Sequence, residues 1–508
     1  MHSLPRRTET HRRPAYTVIA ALALAVMATS ALNGQQADGP KLTIDWNKNV
    51  VVSQSTPTLQ VVVNPPLRPG DPLSTASYKA LKELGADYVR YVPWLPYPRL
   101  AVAELQPPTA TATSWDFSLI DPMTKDILAA TDGHSTVVNF STSPAWLYKT
   151  DKPVTYPDDP NKPVWNYTQG TELRDPSGKE LGDYYARLVS WYTRGGFTDE
   201  LGKRHESGYH YKFPIWEVLN EVDFEHNMTP EQYTARYDAI VSAIHAVSPE
   251  TKFMGMALAI PGNNPRFFEY FLNHAHHKAG IPLDYISYHF YASPVGGQTI
   301  DSWQYTFFDQ AAGFLNTVHY IEDIRKRLSP ATKTDTDELG VILPTDNKPG
   351  DEVPPPKAYW NLAGALYAHL FIELSRLQID VIGESQLVGY PTQFPSVSMM
   401  NWKNDKPNAR FWVLKLIHDN FHEGDTLVET KLDGPGDGDL AAQAFATPAG
   451  HKLLVANKRN HTIALTLPEG AKSALEVDLE SGDGPAHSIH VDGGKITLEP
   501  FAVTVVSW

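Results

Sequence analysis

Between residues 57 and 420 the sequence alternates extended apolar runs with amphipathic helical runs, and that alternation leaves very few folds open. The runs with strand character are 59–64, 88–92, 136–140, 213–219, 252–258, 285–290, 332–338 and 380–386. Among the helical patterns, 230–247 is the clearest. Its apolar residues Tyr233, Tyr237, Ile240, Ile244 and Val247 step by four and three, one face of an α-helix. Thr229 is a natural N-cap, Pro230 suits the first turn, and Gln232 completes a capping box. Leu362, Leu366, Leu370 and Leu374 form a second ladder at steps of four. Eight strand–helix units in one run predict an α/β chain with a (β/α)8 TIM barrel, placed at residues 57–422. An open doubly wound sheet is the alternative, but no glycine-rich phosphate turn follows the first strand.

After residue 423 the pattern changes to short β-type runs at 453–455, 463–467, 475–479, 489–491 and 502–506, separated by Gly, Pro, Asp and Asn. This spacing predicts a C-terminal antiparallel β-sandwich domain over 423–508 that covers one side of the barrel. The N-terminal segment 32–56 holds a stretch, 41–54, suited to add one strand to it. Two long turn-rich stretches, 151–180 and 343–357, would follow the third and seventh strands, on the face where such barrels carry their sites.

At the N-terminus, Arg6, Arg7, Arg12 and Arg13 precede an apolar run over 15–27 and small residues at Ala28, Ser30 and Ala31. That is the plan of a secretory signal peptide, 1–31, with an uncleaved anchor as the alternative. The chain is expected to be secreted or periplasmic, with no stable membrane insertion once the leader is removed. Lys and Arg number 43 against 58 Asp and Glu, a net charge of -15. An excess of acid on this scale argues against a nucleic-acid partner, whose phosphates need basic patches. Cysteine is absent, which excludes disulfides, thiolate metal sites and a Cys nucleophile. Oligomeric state is left open.

The most informative segment is Pro214-Ile215-Trp216-Glu217-Val218-Leu219-Asn220-Glu221, a buried strand that ends in Asn-Glu just before the capped helix. Polar groups at the tip of a buried strand are costly without a use. The seventh strand ends in Lys333-Thr334-Asp335-Thr336-Asp337-Glu338. Glu221 and Glu338 can therefore converge over the barrel mouth. Two facing carboxyls suit glycosidic bond cleavage, one protonated to serve the leaving oxygen and one ionised to attack or to activate water. Trp94, Trp146, Trp165, Trp303 and Trp402 fall near strand ends, where indole faces can stack on sugar rings or simply pack in the core.

An Asn-Glu on strand four with a Glu on strand seven resembles the clan A retaining glycoside hydrolases. The order of features looks most like glycoside hydrolase family 39, the β-xylosidase and α-L-iduronidase family. Trp115-Asp116-Phe117-Ser118-Leu119-Ile120-Asp121 and Asn139-Phe140-Ser141-Thr142-Ser143-Pro144-Ala145-Trp146-Leu147 are similar to its segments at the second helix and third strand. The sequence departs from the family at Leu219, at Val222 and at Met254-Gly255-Met256-Ala257. The resemblance implies Glu221 as general acid/base, Glu338 as nucleophile, and Asn220 as partner of the sugar 2-hydroxyl. Tyr291 would orient the nucleophile, and Arg90 would keep it ionised. For His289, which matches the sixth-strand pattern, and for Arg90, the alternative is a structural hydrogen bond. An oligo- or polysaccharide substrate follows, with no cofactor and no metal.

Glu384, at the end of the eighth strand, is a rival carboxylate, read as a sugar-hydroxyl ligand or a structural group. Asp337 is expected to face away from Glu338, because side chains alternate along a strand. His418 and His422 are four apart but lack the His-Glu-x-x-His pattern of a zinc site. Other glycone specificities (arabinosidase, β-glucosidase, uronidase, endo-glycanase) and a non-catalytic carbohydrate-binding barrel stand as alternatives.

Overall fold

A computed structural model describes residues 39–165, 170–346 and 355–508. The leader at 1–31 lies outside the described residues, as do short parts of both long loops. Gly39–Trp508 is one compact unit.

Eight parallel strands close into a barrel. They are β1 (Thr56–Val62), β2 (Val89–Val92), β3 (Thr136–Val138), β4 (Ile215–Glu217), β5 (Lys252–Leu258), β6 (Tyr285–Ala292), β7 (Lys333–Val341) and β8 (Val381–Glu384). Each is hydrogen-bonded to the next in sequence, and β8 closes on β1 with Val381 opposite Thr56 and Glu384 opposite Leu59. The outer ring is α1 (Pro72–Leu84), α2 (Asp121–Ala130), α3 (Lys179–Thr193), α4 (Pro230–Val247), α5 (Arg266–Phe271), α6 (Ile300–Leu328), α7 (Tyr359–Leu377) and α8 (Ala409–His418). All eight strand readings and the helix ladders hold, with strand ends shifted by a few residues.

Local chemistry explains where the helices start. The Thr229 hydroxyl accepts from the Gln232 amide N–H while the Gln232 side chain accepts from the Thr229 N–H, a cap worth about 1 kcal/mol. Tyr233, Tyr237, Ile240 and Ile244 are then fully buried against the barrel. Leu362, Leu366, Leu370 and Leu374 of α7 are buried too, and cutting any one back to Ala would cost about 2–5 kcal/mol.

Nine further strands form one sheet, and the other four make two short two-stranded pairs. Strand Lys41–Val52, before the barrel, pairs antiparallel with Thr426–Asp433, after it, so both ends of the chain build this layer. Strands Leu440–Thr447 and Lys495–Leu498 complete it beyond the runs read from sequence. Leu42, Leu453, Leu465, Ala474 and Leu498, from distant places in the strand order, share one core, so the sheet folds over on itself. It is seated on α7, where Arg376 donates to the Gln443 side chain and the Ala442 carbonyl. No helix among the described residues is long and apolar enough to cross a membrane.

One strand reading is overturned. On β7, Asp335 pairs with Ser287 of β6 but Glu338 pairs with His289, so three residues of one strand span two of the other. This bulge breaks the alternation. Asp337 consequently points inward, with Oδ2 2.9 Å from Arg90 Nε.

Candidate active site

The C-terminal ends of β4 and β5 leave ordinary backbone geometry. Leu219 has φ 64° and Glu221 φ 41°, while Met256 and Ala257 on the neighbouring strand have φ 85° and 42°. Left-handed residues with side chains cost on the order of 1–3 kcal/mol each, and they persist where surrounding structure forces them. Here the Glu221 N–H donates to the Ala257 carbonyl at 2.8 Å, and Asn139 holds the Leu219 carbonyl at 2.9 Å. The result aims the Asn220 and Glu221 side chains at the barrel mouth.

A carboxylate oxygen of Glu221, a ring nitrogen of His289 and a carboxylate oxygen of Glu338 lie within 4.8 Å of one another. Glu338 accepts from Arg90 Nη1 at 2.5 Å on one oxygen and from the Tyr291 hydroxyl at 2.6 Å on the other. Arg90, 1% exposed, also reaches Glu217 (2.6 Å), Gln60 (2.7 Å) and Asn220 (2.8 Å). Burial opposes its charge, but Asp337, Glu217 and Glu338 around it hold its pKa well above the ordinary value. His289 bridges differently, with Nδ1 3.0 Å from Glu221 and Nε2 3.4 Å from Asp337. Burial would strip its proton, yet Glu338, Asp337 and Glu221 raise its pKa well above the usual histidine range.

The acids divide accordingly. Burial raises Glu221, only partly offset by His289. Burial and the nearby Asp337 push Glu217 up to about 8 despite Arg90. Asp337, though equally buried, is drawn down to about 2 by Arg90 and His289. Burial and two acidic neighbours keep Asp335 well above the carboxylate range. The surroundings thus favour the charged forms of Arg90, His289 and Asp337 and the protonated forms of Glu217, Glu221 and Asp335. Glu221, His289 and Glu338 are also close enough to share a metal ion. However, Arg90 and Tyr291 already donate to both Glu338 oxygens, so the set suits proton chemistry better.

Above these groups opens a cavity of about 500 Å3. Its lining includes Asn220, Glu221, Glu225, Tyr291 and Glu338, with Trp94, Trp165, Phe224, Ile260 and Phe394 around them. Glu225 accepts from Trp94 Nε1 at 2.6 Å and from Asn220 Nδ2 at 2.9 Å on one oxygen. Its other oxygen is buried without a partner. Burial and Glu221 push its carboxyl up to about 8.

Comparison with known proteins agrees with this geometry. Residues 185–339, which hold both Glu221 and Glu338, match the sequence profile of glycosyl hydrolases family 39. Residues 437–506 match the C-terminal immunoglobulin-like domain of D-apionate lactonase. This chain is a glycoside hydrolase, similar over residues 185–339 to family 39. Among solved structures it resembles the GH51 arabinofuranosidase from Xanthomonas axonopodis pv. citri at 12% identity and a TM-score of 0.63, covering 92% of this chain and 99% of that one. A glucosidase from Croceicoccus marinus (15%, TM-score 0.57, 92% and 98%) and a GH30 endoxylanase from Clostridium papyrosolvens C71 (13%, TM-score 0.55, 92% and 99%) share the fold. No curated protein matches the sequence.

In this glycoside hydrolase three expected sugar contacts lie elsewhere. Glu384 is turned outward from β8 onto Arg410 of α8, Nε to Oε1 2.8 Å, both 1% exposed. Strand alternation gives the inward place to Ser385, whose hydroxyl accepts from Gln60 and meets Tyr291. Trp146 donates to the Glu104 carbonyl and lies under the Arg174 guanidinium, 4.5 Å from its ring centre. Trp402 follows Met400–Asn401, in a small hairpin, and packs half-buried on the core outside the cavity. Trp94, Asn220, Glu221, Tyr291 and Glu338 do line the cavity, and Arg90 and His289 bond its carboxylates from inside the barrel. Sequence reading passed over Glu217, although a charged residue within a buried strand already calls for a buried cation. It also missed Glu225, four residues after Glu221, and Phe394, which sits in an irregular loop with no local signature.

Proposed function

We propose that this glycoside hydrolase is an exported, retaining enzyme that releases a neutral sugar, most simply a β-xyloside-type glycone, from an oligosaccharide or glycoside. The observation that carries the proposal is the pair Glu221 and Glu338, with oxygens within 4.8 Å but opposite surroundings. A retaining pair stands about 5–5.5 Å apart, while an inverting pair needs about 6.5–9.5 Å to admit water between them.

In the first step the Glu338 carboxylate attacks the anomeric carbon. The bond to the leaving oxygen breaks as Glu221 delivers its proton there. In the second step water gives a proton to Glu221, its oxygen bonds the anomeric carbon, and Glu338 departs as the carboxylate. Arg90 and Tyr291 neutralise the carboxylate before attack and after release. Asn220 is placed to bond the 2-hydroxyl, anchored by Arg90 and Glu225. A uronide is disfavoured, since no Lys or Arg is among the described residues lining the cavity. Arg174, on the loop after β3, is paired with Glu180. Export rests on the N-terminal leader alone.

The test is a Glu338→Gly variant assayed on 4-nitrophenyl β-D-xyloside and β-D-glucoside with and without azide. Restored release with formation of an α-glycosyl azide supports the nucleophile. Wild-type-like hydrolysis without azide would remove Glu338 from the mechanism.

A further inference from the structure

The cavity is divided by depth. Of its polar side chains, Gln60, Asn220, Gln386 and Glu338 are between 1% and 7% exposed, while Glu221, Glu225 and Tyr291 are half-buried. Its outer wall is instead Phe224, 63% exposed, Ile260, 45% exposed, and Trp165, 39% exposed. Large exposed apolar side chains gathered at one mouth mark a binding surface.

The wall is also held in place, and Asp223 and one oxygen of Glu225 are engaged elsewhere. Asp223, beside Phe224, accepts from the Ala259 and Ile260 N–H groups at 2.9 and 3.0 Å, clamping the two apolar loops together. Glu225 is engaged by Trp94 and Asn220. In the same lining, the rings of Trp94, Trp165 and Phe394 lie 5.5–6.1 Å apart in mutual contact. A second sugar ring seated here would meet few partners for its hydroxyls, and Ile260 has no π face on which to stack one.

We propose that the enzyme takes glycosides of apolar alcohols: the sugar occupies the buried polar floor, and an apolar aglycone lies among Phe224, Ile260, Trp165 and Phe394. This rests on the mechanism above for the position of the scissile bond. The cavity, at about 500 Å3, is in the range of small-molecule sites, roughly 300–1,000 Å3, rather than a polymer cleft.

The test is kcat/KM for methyl, butyl, hexyl and octyl β-D-xylosides and β-D-glucosides, each below its micelle concentration. The leaving alcohols have nearly equal acidity, so any trend reports contact rather than leaving-group chemistry. A fully buried methylene is worth about fourfold. A rise of at least tenfold from methyl to octyl is expected, and it should shrink toward unity in the doubly substituted Phe224→Ser, Ile260→Ser enzyme. Turnover that is flat with chain length, or faster on xylotriose than on octyl xyloside, overturns the proposal while leaving the two-carboxylate mechanism standing. If no glycoside is turned over, tryptophan fluorescence decides. Tighter binding of octyl than methyl glycoside supports the apolar wall and removes the mechanism, whereas equal or absent binding overturns both.

Discussion

Glu221 and Glu338 approach within 4.8 Å, yet the two strand ends that carry them are built in opposite ways. On β4 the backbone is forced through left-handed residues, and the carboxyl meets one histidine and the cavity. On β7 a bulge turns two successive acids inward, and a buried arginine binds both. One end raises the pKa of its carboxyl by burial; the other gives its carboxylate two strong donors. The comparison teaches that like residues acquire different chemistry from what the fold places beneath them.

The largest effect should separate these ends by leaving group. Glu338→Gln is expected to lower kcat by at least ~10^4-fold on every substrate, because no bond to the anomeric carbon can form. Glu221→Gln should cost about 10^2–10^4-fold on alkyl glycosides, whose leaving oxygen needs a proton, and far less on dinitrophenyl glycosides. Steady-state kinetics on both substrate classes check this. Equal losses for the two variants on a dinitrophenyl glycoside would mean that the roles are not divided as drawn.

Next in size comes the contrast between two buried arginines. Arg90 binds Glu217, Asp337 and Glu338 under the cavity, whereas Arg410 binds Glu384 outside it. Removing one partner of a buried ion pair costs about 3–5 kcal/mol. Arg90→Met should therefore lose that much in urea unfolding and nearly all activity. Arg410→Met should lose comparable stability with kcat within a few-fold of wild type. Activity lost equally in both would place Glu384 back in the site.

How much of this was legible follows from the range of each signal. The barrel was readable because each strand and helix carries its own period and caps, as Thr229 and Gln232 do for α4. Asn220, Glu221 and Glu338 were readable because buried strands ending in carboxyls are unusual locally. Asp337 was misread because a bulge is a relation between two strands, and nothing in Thr336-Asp337-Glu338 shows that β6 advances two residues while β7 advances three. Glu384 was misplaced for a similar reason: its partner, Arg410, comes from the next helix. Strands Thr426–Asp433 and Leu440–Thr447 went unread where Lys, Asp and Gln interrupt the apolar pattern.

The smallest effect probes the carboxyls beneath the pair. Glu217 is buried between Arg90, Asn139 and Ser287, and that burial, with Asp337 beside it, raises its pKa to about 8. In the unfolded chain a glutamate loses its proton near 4.3. Between these values unfolding releases a proton, so this group makes stability fall as pH rises. Asp337 acts at the other end of the scale: its lowered pKa stabilises above about 3.9, and that stability is lost as pH falls toward 2. Glu217→Gln keeps the shape but cannot ionise in either state. Relative to wild type it should therefore gain stability steadily from pH 5 to pH 8 in urea unfolding, even if it starts about 1 kcal/mol lower from an altered hydrogen bond. A difference that stays constant across this range would mean that Glu217 is ionised at pH 5. Arg90 would then be shared by three carboxylates, and the division of charge between floor and mouth would have to be redrawn.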